Sequence, residues 1–194
     1  MGERLKGKVA VVMGAGQTPG VTIGNGRASA ILYAREGAKV MVVDYRRNSA
    51  EDTRQMIAEE GGEVIAFQAD ATKSDDCKKV ADACVQQFGR IDILHNNVGI
   101  SDNDGGLNQV TEEAWDRILG IMPCKHVITI MRGQRSGAIL NISSIAAVCN
   151  IGILAYKTSK AGVNAITYQL AGQCQVRHSR KLHHARAYGY SDGD

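Results

Sequence analysis

Tyr156 and Lys160 stand four residues apart in the stretch AYKTSK, residues 155–160. Positions i and i+4 share a helix face, so a phenol and an ammonium project together. A free phenol, with a pKa near ~10, is a poor base at neutral pH. A neighbouring ammonium stabilises phenolate and lowers that pKa. Tyr156 could then exchange a proton with a substrate alcohol or carbonyl. Ser143 and Ser144 follow an apolar run, with Tyr156 twelve residues beyond Ser144. A serine hydroxyl in that place can hold the same substrate oxygen. A lone Tyr-x-x-x-Lys reads best as a surface pair. An upstream serine and a nucleotide-binding loop in the same chain tip it toward catalysis.

That loop is GAGQTPGVTIGNG, residues 14–26. Its glycines, Gly14, Gly16, Gly20, Gly24 and Gly26, leave a backbone able to approach a pyrophosphate, with N–H donors from the helix that follows. A bound nicotinamide, positively charged, would further favour the phenolate of Tyr156. Asp44 ends a second apolar run. Its carboxylate suits ribose hydroxyls and repels a 2′-phosphate, which favours NAD over NADP. Arg46 and Arg47 could pair with such a phosphate, and a plain turn at Asp44 is the simpler alternative. Asp70 and Ala71 follow a third run, suitably placed for an adenine amino group. Asn96, Asn97, Val98 and Gly99 follow a fourth. Asparagines can brace neighbouring strand ends, and Gly99 lets the backbone pass close to a ligand. Each group alone reads as structural; four strand ends with compatible groups argue for one shared site.

Five strands are expected, over 9–13, 39–43, 64–67, 91–94 and 138–142, each a predominantly apolar run that does not alternate with polar residues. Helices are expected between them: 24–36, one capped by Asn48 and running to about 60, one capped by Ser74, and one opened by Thr111. Val80, Cys84, Val85 and Phe88 recur at helical spacing and mark a buried face. The last clear element is a helix over 154–172. Predominantly apolar strands alternating with helices specify an α/β fold, a doubly wound, mostly parallel sheet covered on both faces. Ligands of such sheets bind beyond the carboxyl ends of the strands.

The 194 residues, 44% hydrophobic and 22% charged, suit one domain with a sizeable core. The net charge of +3 is too mild to indicate nucleic acid, and residues 173–194 supply most of it, with four Lys or Arg against two Asp. Five cysteines without a CxxC pair suggest reduced thiols, not a disulfide framework or a metal site. With no membrane-length apolar run and no signal-peptide core, a cytoplasmic protein is expected.

Taken together, the glycine segment 14–26, Asp70, Asn96-Asn97-Val98-Gly99, NISS at 141–144 and YKTSK at 156–160 resemble the short-chain dehydrogenases/reductases. The resemblance runs from about residue 5 to 171. It implies a Rossmann-type fold, a nicotinamide cofactor, and interconversion of a small-molecule alcohol and ketone. It makes Tyr156 the acid/base. Lys160 would hold the nicotinamide ribose, and Ser144, ahead of Ser143, would orient the substrate. It further implies homo-oligomers through helices at 111–132 and 154–172.

Four departures stand out. Met13 replaces the family's threonine, and the glycine loop is longer, with 17–22 expected to bulge outward. The segment GIMPC, 120–124, lacks the family's asparagine and about a helical turn, and Pro123 should break what remains. From residue 173 the family's next strand is replaced by a basic run without period. The expected domains are therefore 1–172, a dinucleotide-binding unit lacking the last strands of the family fold, and 173–194, an aberrant tail. Reading the codons from Cys174 one base later permits the missing family segment, so a frameshift near 173 is one hypothesis. A genuine basic tail for an acidic partner is its rival. The functional alternative to an oxidoreductase is a non-catalytic nucleotide binder or folding-defective remnant.

Overall fold

The structure is a computed structural model that describes residues 2–175, apart from 18, 19, 21, 121–123 and 151. Thr18, Pro19, Val21, Met122, Pro123 and the tail from 176 therefore lie outside the described residues.

The strands are β1 (Val9–Met13), β2 (Lys39–Asp44), β3 (Val64–Gln68), β4 (Ile93–Asn96) and β5 (Ala138–Asn141). They form one sheet in the order β3-β2-β1-β4-β5, every pair parallel. β1 is buried at all five positions because helices cover both of its faces. On one face Ala10, Val12, Val40, Val42 and Ile93 pack under α1 (Asn25–Arg35) and α2 (Arg47–Glu59), through Ala30, Ile31, Ala34 and Ile57. On the other, Val11, Met13, Met41, Val43 and Leu94 meet α3 (Ser74–Phe88) and α5 (Cys124–Gln134), through Cys77, Val80, Cys84, Val127 and Met131. Met13, where the family resemblance leads one to expect a threonine, is fully buried in this second core. α4 (Glu112–Leu119) precedes α5, and α6 (Leu154–Gln175) packs on α4 and on a short 3-10 turn, Ile145–Ala147.

The α/β class and the parallel sheet are as expected. Several boundaries move. Asn48 and Ser74 lie inside their helices, whose caps are Arg46 and Lys73, in extended conformation and without a side-chain cap bond. Thr111 caps α4 as expected, its hydroxyl accepting from Ala114 N–H. β4 starts at Ile93, two residues beyond the expected Ile91, whose N–H turns away from the sheet to the Gln134 side chain. α6 continues three residues past 172. No helix among the described residues is long and apolar enough to cross a membrane.

The order reverses between β1 and β4, so their carboxyl ends flank a crevice where the connections diverge to opposite sides.

Candidate active site

At that crevice β1 ends in a tight turn. Gly14 has φ 73°, and the N–H groups of Gly14 and Ala15 both donate to the Val43 carbonyl, at 2.8 and 2.9 Å. From the β4 side, Asn97 closes on the same turn: its side chain donates to Gly14 O (3.2 Å) and its N–H to Met13 O (3.0 Å). Gly26, in the first turn of α1, rests directly on Gly14. A Cβ there would stand 1.9 Å from Gly14 O and 2.7 Å from Asn97 Nδ2. The positive end of α1 is thereby held at the crevice.

Gly16 faces Asp44. Its N–H donates to Asp44 Oδ2 at 3.0 Å, and a Cβ would lie 2.5 Å from that oxygen. Asp44 Oδ1 accepts from Arg46 N–H at 3.0 Å, and the residue is 8% exposed. Gly24 is looser: it caps α1, and an added Cβ would meet the tip of Gln17 at 3.3 Å and Gly16 O at an ordinary contact distance of 3.9 Å. Gln17 ties the base of the long loop together. Its side chain accepts from Gly24 N–H (2.6 Å) and donates to Thr22 O (2.7 Å), while its own N–H donates to Ser49 Oγ (2.6 Å). Beside it an open pocket of about 500 Å³ is lined by Gln17, Arg46, Arg47, Asn48, Ser49 and Asp52. The Arg46 guanidinium donates to Gln17 O at 2.7 Å.

Asp70 and Ala71 follow β3, two strands away from β1. Asp70 Oδ1 accepts from both the N–H and the hydroxyl of Thr72, and Ala71 packs its side chain into the core.

The third group gathers at the start of α6. Lys160 is 4% exposed, and its ammonium donates to Val98 O (3.0 Å) and Ile142 O (2.8 Å). One side chain thus joins the chain beyond β4 to the chain beyond β5, with one N–H bond left over. Burial pushes the Lys160 pKa below its usual 10.5. The ammonium lies 5.6 Å from the centre of the Tyr156 ring. A Cβ on Gly99 would be 3.3 Å from Tyr156 Cε2 and 3.4 Å from Lys160 Nζ, so a side chain there would crowd both. Ser143 and Ser144 point differently. Ser143 Oγ donates to Lys160 O at 3.4 Å. Ser144 caps the 3-10 turn, accepting from Ala146 N–H at 3.1 Å, which leaves its hydroxyl proton to give. Lys157 fastens the following loop by donating to Ala146 O and Cys149 O.

The expected residues thus fall into clusters around one sheet edge: Gly14, Gly26 and Asn97; Gly16 and Asp44; Gly99, Tyr156 and Lys160. Asp70 and Ala71 stand apart, beyond the end of β3. Sequence reading missed Gln17, Ser49 and Asp104. Gln17 carried a weak signal, an amide inside a glycine loop. Asp104 carried none, since its partners begin 50 residues away.

The short chain dehydrogenase family model matches residues 8–178. Among similar proteins, the 3-oxoacyl-acyl-carrier-protein reductase FabG of Thermotoga maritima is 33% identical over 184 residues, covering 91% of this chain and 72% of its own. An NAD+-bound xylitol dehydrogenase superposes with a TM-score of 0.80 at 30% identity, over 89% of this chain and 67% of that one. A metagenomic short-chain oxidoreductase in complex with NADP superposes with a TM-score of 0.81 at 27% identity, over 89% of this chain and 78% of that one.

Proposed function

The chain belongs to the short chain dehydrogenases, and from that premise we propose that it interconverts an alcohol and a ketone, with NAD as cofactor and Tyr156 as acid/base. The observation that carries this reading is the cluster at the start of α6. Tyr156, the buried Lys160 and the bare backbone of Gly99 meet there, beyond the ends of β4 and β5.

The crevice fits a dinucleotide. Gly14 and Gly26 approach so closely that no Cβ could come between them, and the N-terminus of α1 offers its donors beside them. Gly14, Gly16, Gly24 and Gly26 would follow the pyrophosphate, Asp44 the adenosine ribose, and Asp70 and Ala71 the adenine. Asn97 and Gly99 would line the nicotinamide side, with Lys160 on its ribose through the N–H bond its two carbonyls leave over. When bound, the nicotinamide supplies or accepts the hydride. Tyr156 gives a proton to the carbonyl oxygen in reduction and takes one from the hydroxyl in oxidation. Ser144 donates its free hydroxyl proton to the same oxygen, and Lys160 stabilises charge near the phenol. The preference for NAD rests on Asp44: a 2′-phosphate would face its carboxylate, while Arg46 is engaged with Gln17 O. The test is Tyr156→Phe, which is expected to abolish oxidation of secondary alcohols while NADH binding persists. Full turnover in that variant would remove Tyr156 from the mechanism.

One observation favours a second reading, a nucleotide-binding chain without turnover: residues 120–124 hold no asparagine where the resemblance implies one. That reading requires the unaltered chain to bind NADH and to oxidise none of a panel of secondary alcohols.

A further inference from the structure

α6 begins without a capping residue of its own. Ile153 has no side-chain acceptor, and no acidic residue occurs in the first turn. The first N–H groups of a helix need partners from elsewhere. Here they find a carboxylate from the loop after β4. Asp104 Oδ1 accepts from Leu154 N–H (3.2 Å) and Ala155 N–H (3.1 Å), and Oδ2 accepts from Tyr156 N–H at 2.7 Å. The next residue adds its backbone, Gly105 O accepting from Leu154 N–H at 3.0 Å. The chain reaches this position through Asn103, whose φ of 60° lies in the left-handed region that asparagine tolerates. A full negative charge at the positive end of the helix strengthens the arrangement.

We propose that Asp104 is a positioning residue for the reaction: it caps α6 from the loop after β4 and thereby fixes the backbone that carries Tyr156. The proposal rests on the reading of Tyr156 as acid/base. The same loop already touches the helix through Gly99, against Tyr156 and Lys160, and through Val98 O on Lys160. Asp104 adds a third tie, on the tyrosine's own peptide. The loop that lines the nicotinamide side and the helix that carries the proton donor therefore move as one body. A small misplacement of a reacting group is costly, since the loss of orientation falls on the chemical step and spares cofactor binding.

The experiment uses the full chain as wild type, Asp104→Ala, Asp104→Asn and Asp102→Asn. The last removes one charge from the neighbouring exposed loop position. Three quantities are read: backbone amide exchange at residues 154–156, the Kd for NADH by fluorescence, and single-turnover oxidation by NAD of a panel of secondary alcohols. For Asp104→Ala, amide exchange at 155 and 156 should accelerate about tenfold, while Leu154 N–H keeps Gly105 O as acceptor. Turnover should fall about 10- to 100-fold with the NADH Kd unchanged. Asp104→Asn keeps one acceptor oxygen and should recover part of both losses; Asp102→Asn should match wild type. Unchanged exchange in Asp104→Ala, or turnover and NADH affinity lost in step, overturns the proposal. A folded wild type that binds NADH but turns nothing over sinks the acid/base reading and this proposal with it. That result stays distinct from a failure at Asp104, because the exchange data report the cap independently.

Discussion

Replacing Lys160 by methionine should destabilise the fold as well as stop turnover. The side chain is 4% exposed and donates to two backbone carbonyls, Val98 O at 3.0 Å and Ile142 O at 2.8 Å. Methionine fills nearly the same space, so no large cavity opens. It donates nothing, and each orphaned, half-buried carbonyl costs about 1–2 kcal/mol, the lower part of the range for a fully buried one. The opposing term is relief of the ammonium's desolvation, which is real here because burial lowers the Lys160 pKa. The carbonyls outweigh it, since the two hydrogen bonds of the wild-type ammonium already offset most of its desolvation. A net loss of about 2 kcal/mol is expected. With a urea m-value of about 2 kcal/mol/M, the midpoint should drop by about 1 M with m unchanged. The pH dependence has a definite sign. Between the depressed native pKa and 10.5, the unfolded lysine still holds a proton that the native lysine has released. The unfolded state then binds more protons, so the lysine's contribution to stability rises with pH across that window. The gap between wild type and Lys160→Met should therefore widen from neutral pH toward 10.5 and stay level above it. Equal urea midpoints at pH 7, or a gap that narrows on going alkaline, would refute the bracing role.

Gly26→Ala should cost about 3 kcal/mol or more, because its Cβ would stand 1.9 Å from Gly14 O and 2.9 Å from Gly14 C, both backbone atoms. Gly24→Ala, pressing only on the end of the Gln17 side chain and reaching Gly16 O at an ordinary 3.9 Å, should cost about 1 kcal/mol or less, and thermal melts of the two variants check the contrast. Asp44→Asn keeps an acceptor for Gly16 N–H but removes the charge facing a 2′-phosphate. NADPH affinity relative to NADH should rise about tenfold by fluorescence titration, and an unchanged ratio would mean the carboxylate does not choose the cofactor.

What the sequence disclosed and what it withheld follow from the range of the interactions. β1 and β2 were legible because burial on both faces leaves an unbroken apolar run. Thr111 was legible because a hydroxyl cap bonds within its own turn. The caps at Arg46 and Lys73 were not, because neither uses its side chain; Asn48 and Ser74 offered the right chemistry one or two residues too late. The glycines at 14, 16, 24 and 26 look alike in the sequence. Only the packing separates Gly26, pressed on a carbonyl, from Gly24, which has room. Tyr156 and Lys160 could be paired by helical spacing. That Lys160 would spend two of its bonds on Val98 O and Ile142 O could not be read, since those carbonyls belong to the chain beyond two different strands.

The pattern of those long-range bonds bears on how activity and stability are linked in this fold. Parallel strands β4 and β5 are joined by hydrogen bonds along their length, but the ladder stops where the site begins, at Asn96 and Asn141. Just beyond that point two last backbone bonds, Asn97 N–H to Met13 O and Ile142 N–H to Asn96 O, close the ladder, and side chains then take over. Asn96 donates to Asn141 Oδ1 at 2.7 Å, Asn97 to Gly14 O, Lys160 to both flanking carbonyls, and Asp104 accepts the first turn of α6. Each of these groups answers a partly buried polar backbone or side-chain group that would otherwise cost free energy. The crevice is consequently open to a ligand yet held without one. It also follows that substitutions there cannot be sorted into catalytic and structural by loss of activity alone. Only a measurement that separates folding from turnover, such as the urea midpoint beside NADH affinity, assigns Lys160 or Asn97 its share of each.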